Sequence, residues 1–487
     1  MILYLILLRL NNSSKILFRV DGDHTQGLGH LVRSIALAQM LKDAFEIKFI
    51  CKEIPENIAN DLNKLGFGCL IIDDESEFIN KIDSDNILVI DGHQFDTSYQ
   101  LRLKATGAKL VCIDDLHDKE FVADLIINHA PGITPEDYKV IPYAQFALGL
   151  EYALLRPLFL EQSQKPSLIE RVNTLLICFG GSDNKNLTQR TLEVSLQFPQ
   201  FKKIIVVTGA AYKASGSFKQ LIHSDKRIEH RHNLNENEML NAILDSDLCI
   251  VPASGILLEV LSVKRLVISG KYVENQNYMY ENNASLFYDA GDFDSQKVYD
   301  AISEALKCDV STRAIIDGQS PQRICRLFSQ LQKELLCKIR PARLDDLDLT
   351  YRWAISPEIR RYSFQKHQIL KSEHTNWFIG KLNNRNCHYL IMEFDGIPIG
   401  SIRFDIDGKE ALLSYQLDAE YHGKAFGGVL LKKGIEWIIN PSNINSKTID
   451  VIIGNVIREN VSSIKTFERF GFGKKEQVEN LRFEKWI

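Results

Sequence analysis

The stretch Asp21-Gly22-Asp23-His24-Thr25-Gln26-Gly27-Leu28-Gly29-His30 separates an apolar run, Ile16 to Val20, from Leu31 to Leu41, where apolar residues recur at helical spacing. Gly27 and Gly29 permit tight backbone turns, and a helix starting just after them offers unpaired N–H groups and a positive dipole end to a phosphate. The same dipole disfavours an imidazolium, so His30 is expected to stay neutral near pH 7 and to accept a proton from water. A plain turn with a capping histidine stays open as the alternative, since a lone glycine pair is weak evidence. Two later apolar runs end in small residues, Phe179-Gly180-Gly181-Ser182 and Pro252-Ala253-Ser254-Gly255, the second leading into a helix that carries Glu259. Such ends let backbone approach a diphosphate, and a carboxylate one helical turn further on can accept ribose hydroxyls. Leu257, Leu258, Val260 and Leu261 make the surroundings of Glu259 apolar, which favours a site over a solvated helix face. A last glycine loop, His422-Gly423-Lys424-Ala425-Phe426-Gly427-Gly428, lies between the strand-like Leu413 to Leu417 and another helical pattern, and again presents amides to a pyrophosphate.

The elements that must hold these loops fall into three groups. Ile16–Val20, Ile47–Cys51, Cys69–Ile72, Ile87–Ile90, Lys109–Ile113 and Leu125–Asn128 are short apolar runs without alternation, each followed by a helix-length segment, as parallel strands buried on both faces require. After the polar stretch 161–171 the pattern restarts with Val172–Phe179, Lys203–Val207, Leu248–Val251 and Leu266–Ile268. From Cys337 it changes again: His388–Phe394, the turn Asp395-Gly396 and Ile399–Asp405 read as a hairpin, followed by Ala411–Leu417. The expectation is an α/β chain of two Rossmann-like domains, 1–160 and 172–335, with a ligand in the cleft between them, followed by an α+β domain, 338–487. At ~150 residues per domain, 487 residues agree with three.

Composition excludes several classes. Apolar residues at 45% and charged residues at 25% leave no room for a collagenous or largely disordered chain. A net charge of −5 supplies no bulk positive field, so neither nucleic acid nor a membrane is expected as partner. The nine cysteines are odd in number, never spaced C-x-x-C and mostly set in apolar runs, which reads as reduced thiols in a cytoplasmic protein without disulfides or zinc. Met1–Leu10 is too short to span a bilayer and reads as an extra strand or an upstream start, with a weak membrane anchor as the minority alternative. His230 and His232 read as a surface strand and not a metal site, and Asp114-Asp115 as orienting carboxylates in preference to magnesium ligands. His374, beside Trp377, reads as a packed histidine, with an amine base as the alternative.

Arg19-Val20-Asp21, Gly27-Leu28-Gly29-His30, Arg33 to Leu37-Ala38, Ile113-Asp114-Asp115, Ala123-Asp124 to Asn128, Tyr152 to Pro157, Phe179 to Asp183 with Asn186-Leu187-Thr188, and Asn275-Gln276 together resemble the UDP-sugar hydrolase family of pseudaminic acid biosynthesis. That family removes UDP from a diacetamido-trideoxy-altropyranose, and the resemblance covers about residues 16 to 335. It implies the two-Rossmann, glycosyltransferase-like (GT-B-like) fold, no metal, and His30 as the base. It also implies substrate contacts at Asp21, Gly27, Gly29, Arg33, Arg156, Gly180, Gly181, Ser182, Ser254, Gly255, Glu259, Asn275 and Gln276. Where the family often has a tyrosine, this chain reads Asp91-Gly92-His93, so His93 is either a substrate contact or a polar loop residue.

The loop 413–431, Asn460 to Ser463 with Phe467 to Phe472, and Arg340-Pro341-Ala342 resemble the GNAT superfamily of N-acetyltransferases. This implies acetyl-CoA as co-substrate, held by Leu417, His422, Gly423, Lys424, Ala425, Gly427, Gly428, Asn460 and Ser463. His422 and Ala425 depart from the usual loop, and Phe467 replaces a tyrosine that protonates the leaving thiolate, so that proton must come from water or another residue, or the domain is poorly active; Tyr415 and Tyr421 are candidate substitutes, with packing the safer reading for both. The two resemblances together imply a bifunctional enzyme acting on a UDP-aminosugar, in company with other enzymes of the same pathway. The alternatives are a glycosyltransferase using a UDP-sugar, or a hydrolase with an idle GNAT-like binding module.

Overall fold

The computed structural model describes all residues except 1–14, 23–27, 142, 168, 170, 182, 184, 272–285, 290–292, 308–315 and 444–448. Its contacts divide the chain into two compact units, one of Asn11–Phe328 and the other containing Ser329–Ile487. The segment expected as an extra N-terminal strand, Met1–Leu10, lies outside the described residues.

The first unit holds two large parallel sheets and a small parallel pair, Glu120–Phe121 with Lys139–Val140. Across the first sheet the strands run Gly68–Ile71, Glu46–Cys51, Lys15–Val20, Ile87–Asp91, Lys109–Ile113, Leu125–Asn128 and Gln145–Leu148. Numbered by sequence, that is 3-2-1-4-5-6-7, and every neighbouring pair is parallel. The second sheet has the order 3-2-1-4-5-6, with Ile228–His232, Lys203–Thr208, Thr174–Cys178, Leu248–Pro252, Leu266–Lys271 and Leu286–Asp289. Ile87–Asp91 and Leu248–Pro252 are buried at every residue, which explains apolar runs without alternation.

Both sheets reverse their winding next to their first strand. Crossovers from strands 1 and 2 lead one way and those from strand 4 the other, so a crevice opens at the carboxyl ends of strands 1 and 4, where open α/β sheets bind ligands. In the first sheet that point brings together the ends of Lys15–Val20 and Ile87–Asp91; in the second, those of Thr174–Cys178 and Leu248–Pro252. Two strands absent from the sequence reading, Gln145–Leu148 and Leu286–Asp289, extend the far edges and touch neither crevice.

The second unit is built on one mixed sheet, ordered Cys337–Pro341, Cys387–Phe394, Ile397–Asp407, Glu410–Leu417, Val451–Val456, Leu481–Trp486 and Gly473–Glu476. Asp395 (φ 50°) and Gly396 (φ 76°) form the expected tight turn, both central residues taking the positive φ that a two-residue hairpin needs. Only Glu410–Leu417 and Val451–Val456 pair in parallel, and their ladder stops at Leu413 opposite Gly454. Beyond it, Ser414–Leu417 continues as a strand whose Val451–Val456 side carries no ladder, which leaves an opening lined by backbone amides. Phe426, Leu430 and Phe467 pack into the core against the sheet.

Candidate functional site

The helix Gly29–Leu41 starts at the carboxyl-end crevice of the first sheet and places His30 in its first turn. Asp91 ends the neighbouring all-buried strand ILVID, and its carboxylate, fully buried, accepts from His30 Nδ1 at 2.6 Å, Arg33 Nε at 2.8 Å, Arg33 Nη2 at 2.6 Å and Ser34 Oγ at 3.0 Å. Burial alone would push Asp91 up, but the charge and hydrogen bonds of Arg33 outweigh it and hold the carboxyl below the usual range. A carboxylate can only accept, so the 2.6 Å contact with Asp91 favours the proton of His30 on Nδ1 and the lone pair on Nε2, with Arg33 Nη2, which itself donates to Asp91, 2.9 Å from the same ring nitrogen. The His30 side chain is 24% exposed, enough for Nε2 to meet solvent while Asp91 orients the ring from behind.

Arg33 carries the network further. Its Nη1 donates to Asp115 Oδ2 at 2.9 Å, and Asp115 Oδ1 lies 2.8 Å from His93 Nε2. The His30 and His93 rings stand edge to face with centroids 4.9 Å apart. The hydrogen bond to Asp115 raises His93 above the ordinary imidazole value, while Arg33 overcomes burial to hold Asp115 well below the carboxylate range. His93 therefore sits inside the cluster. Asp114 turns away: it accepts from the His117 amide at 2.8 Å and Tyr138 hydroxyl at 3.0 Å, and burial raises it. Both aspartates are engaged by neighbouring donors, and among the described residues no group of three or more metal-ligating side chains is found. Asp21 fastens the first strand to the next loop, accepting from the Lys52 amide and Arg19 Nη2 at 2.6 and 2.7 Å. Arg19, 1% exposed, also holds Glu75. Gly29 lies at the helix start, with open space where a Cβ would stand, whereas Gly27 lies outside the described residues.

The crevice of the second sheet carries Gly180 (φ 84°) and Gly181 on one side and Ser254-Gly255, at the start of the helix Gly255–Ser262, on the other. A glycine that sequence reading passed over completes it: a Cβ on Gly209 would stand 2.6 Å from Gly181 Cα and 2.8 Å from its carbonyl oxygen. The signal was its place one residue beyond the strand Lys203–Thr208. Backbone cannot yield as a flexible side chain can, so Gly209→Ala is expected to destabilise the first unit by roughly 1–3 kcal/mol. Its melting midpoint, compared with that of Gly216→Ala, where a Cβ meets open space, checks this.

Glu259 is drawn into a partly buried pair. Arg156, just before the helix Pro157–Ser163, donates from Nη2 to Glu259 Oε1 at 2.5 Å. Burial nevertheless keeps the Glu259 carboxyl raised. The structure thus brings together Arg156 and Glu259, 103 residues apart in sequence. Ser182, Asn275 and Gln276 lie outside the described residues. His230 Nε2 and His232 Nδ1 both lie within hydrogen-bonding distance of Thr208 Oγ1, at 2.9 and 3.1 Å. One further histidine went unnoticed in the sequence. His129 ends the Leu125–Asn128 strand, takes the Leu154 amide on Nδ1 at 3.3 Å, and is pushed down to about 4 by burial, with Arg33 adding to the effect.

In the second unit the loop 418–425 leads from the parted strand into the helix Phe426–Ile439. His422 Nε2 donates to the Leu417 carbonyl at 3.0 Å, so this departure from the usual loop ties the turn to the strand end. Gly423 has φ 72°, and Ala425 takes a left-handed φ of 65°. Lys424 Nζ turns back to the Glu420 carbonyl. Gly427 and Gly428 open the helix, a Cβ on the second standing 3.3 Å from Phe470. The left-handed conformation costs an L-residue about 1–2 kcal/mol, and glycine gives back roughly 0.4–1 kcal/mol in unfolded-chain entropy. Ala425→Gly is therefore expected to stabilise the second unit by on the order of 0.5 kcal/mol; an unchanged or lower denaturation midpoint contradicts it. Asn460 Oδ1 caps the helix Val461–Arg469 at the Ser463 amide, and Ser463 Oγ meets the Tyr415 hydroxyl at 3.0 Å. Phe467 is buried and stacked on Phe483. Tyr421 is buried against Phe426, and His374 is a packed residue held by Thr350 Oγ1 at 3.1 Å.

A family profile described as an acetyltransferase (GNAT) domain matches residues 337–473. An uncharacterised protein of Methanocaldococcus jannaschii is 24% identical over 97% of this chain and 99% of its own length. The UDP-2,4-diacetamido-2,4,6-trideoxy-beta-L-altropyranose hydrolase of Campylobacter jejuni is 28% identical over 54% of this chain and 93% of its own. A spore coat polysaccharide biosynthesis protein of Bacillus subtilis is 21% identical over 64% of this chain and 97% of its own. The chain thus joins a part homologous to that UDP-sugar hydrolase with a C-terminal GNAT acetyltransferase domain.

Proposed function

We propose that the first unit hydrolyses a UDP-linked diacetamido-trideoxy sugar and that the GNAT domain acetylates the 4-amine of its UDP-aminosugar precursor, two consecutive steps of pseudaminic-type sugar synthesis in one chain. The first unit then comprises two Rossmann-like domains, 1–160 and 172–335, in a GT-B-like arrangement. The observation that carries the hydrolase reading is the His30–Asp91 pair at the first crevice, with Nδ1 tied to a buried carboxylate and Nε2 left basic. There His30 takes a proton from water as its oxygen attacks the anomeric carbon, and UDP leaves. Gly180, Gly181 and Gly255 offer amides to the diphosphate, and Glu259, steadied by Arg156, takes the ribose hydroxyls.

For the GNAT domain the residues fit acetyl-CoA: the left-handed Ala425 preserves a glycine-like turn, and the parted ladder beyond Leu413 exposes strand amides. Acetyl-CoA supplies the acetyl group, and the Leu417 strand end together with the 422–428 loop holds its carbonyl and pyrophosphate. Buried Phe467, with no hydroxyl to protonate a thiolate, favours the second reading of this domain as a binding module without turnover.

One mass-spectrometric experiment tests both halves. Incubating the chain with the UDP-diacetamido sugar in ¹⁸O water is expected to release UDP without acceptor and to place the label in the free sugar. Label in UDP rejects attack at carbon, and release only with an acceptor alcohol points to a glycosyltransferase. Adding acetyl-CoA to the UDP-4-amino sugar is expected to liberate one thiol per acetylated amine; no thiol leaves the GNAT domain as a binding module.

A further inference from the structure

His30 and His93 form two histidine–aspartate pairs coupled through one arginine. His93 Nε2 faces Asp115, so its Nδ1 is the ring nitrogen directed away from the carboxylate, as Nε2 is in His30. The His93 side chain is 44% exposed, so the ring reaches solvent on the side away from Asp115 only through that part of its surface. The charged and titratable groups around it are Asp115, Arg33, Asp91 and His30, with Lys119 Nζ on its own carbonyl at 3.1 Å. Two carboxylates thus balance Arg33 and leave the ring pair able to carry a proton.

Resting on the hydrolase reading above, we propose that His93 is the proton donor of that reaction, protonating through Nδ1 the diphosphate oxygen that departs while His30 deprotonates water. Water gives one proton to His30 Nε2 as its oxygen bonds to the anomeric carbon. The bond from that carbon to the diphosphate oxygen breaks, its electron pair stays on oxygen, and that oxygen takes the proton of His93. The cycle ends with His30 protonated and His93 neutral. Passage of one proton between rings 4.9 Å apart, directly or through one water, restores both without a further reactant. The hydrogen bond with Asp115 raises the affinity of His93 for its proton above that of a free imidazole, the direction a proton donor needs.

The test is the pH profile of kcat for UDP release by the full chain and by His93→Gln. Wild type should fall on the alkaline side as His93 loses its proton. His93→Gln should be slower by about 10²-fold, with the alkaline fall gone. Asp115→Asn, which removes the carboxylate that raises His93, should move the alkaline fall to lower pH while circular dichroism confirms a folded chain. A His93→Gln enzyme that keeps the alkaline fall, or loses only KM, overturns the proposal and leaves the hydrolase reading standing. A wild-type chain that releases no UDP from the sugar overturns both.

Discussion

Replacing His30 with alanine is expected to lower UDP release by about 10²- to 10⁴-fold, or roughly 3–5 kcal/mol of barrier, while leaving the fold intact. The two effects separate because His30 contributes little to what holds Asp91. With the imidazole gone, Asp91 still accepts twice from Arg33 and once from Ser34, so no buried carboxylate is stranded. The ring itself is partly exposed and meets His93 only at its edge, so its removal opens no core cavity. His30→Asn sharpens the result: the amide can still donate to Asp91 but offers no basic nitrogen, and it should be as inactive as alanine. Single-turnover assays for UDP, beside thermal melts of the same preparations, check both points. Turnover within a few-fold of wild type in either variant removes His30 as the base.

His30 was legible from sequence because glycines before a helical pattern say where an N-terminus falls, and the strand runs were legible because both faces of each sheet are covered. The partner of His30 was not. Asp91 could be read as a strand-end residue, yet nothing in ILVID tells which of several loops will stand opposite; that depends on the 3-2-1-4 order placing its strand beside Lys15–Val20. The same holds for Arg156 and Glu259, whose meeting depends on long-range packing. Strand ends were readable only to within a residue or two: Val172–Phe179 shrinks to Thr174–Cys178, and Ile399–Asp405 grows to Ile397–Asp407, because pairing partners, not composition, stop a ladder. Gln145–Leu148 escaped notice for a related reason: a short run with a polar first residue joins the sheet only because Leu125–Asn128 offers an edge. Ala425 shows the converse. Its sequence departs from the usual glycine, and the backbone keeps the glycine-like conformation all the same.

The deepest dependence of the first crevice is on Asp91, and Asp91→Asn is expected to cost about 3 kcal/mol or more of stability as well as about 10²-fold or more in UDP release. Arg33 is buried against two carboxylates; removing the nearer leaves its charge with Asp115 alone, and the asparagine amide turns a donor toward groups that are themselves donors. Breaking one partner out of a buried pair costs roughly 3–5 kcal/mol, and the remaining Asp115 contact places the loss at the lower end, a fall in melting midpoint of roughly 5 °C for a unit of this size. The activity falls separately, because His30 loses the acceptor that fixes its proton on Nδ1. Acidity offers an independent check of sign. The folded Asp91 carboxyl lies below its ordinary value of 3.8, so its stabilisation is complete above that value and is lost as pH falls through the lower, folded one. The wild-type unit should therefore lose stability more steeply below about pH 4 than Asp91→Asn, which has already lost this contribution at neutral pH. Ser34→Ala serves as the control: it deletes one of four hydrogen bonds but no charge, and should cost about 1 kcal/mol with little change in rate. Should Asp91→Asn melt with Ser34→Ala at neutral pH, the carboxylate is not what secures Arg33, and both the oriented base and the coupled pair of histidines lose their physical ground.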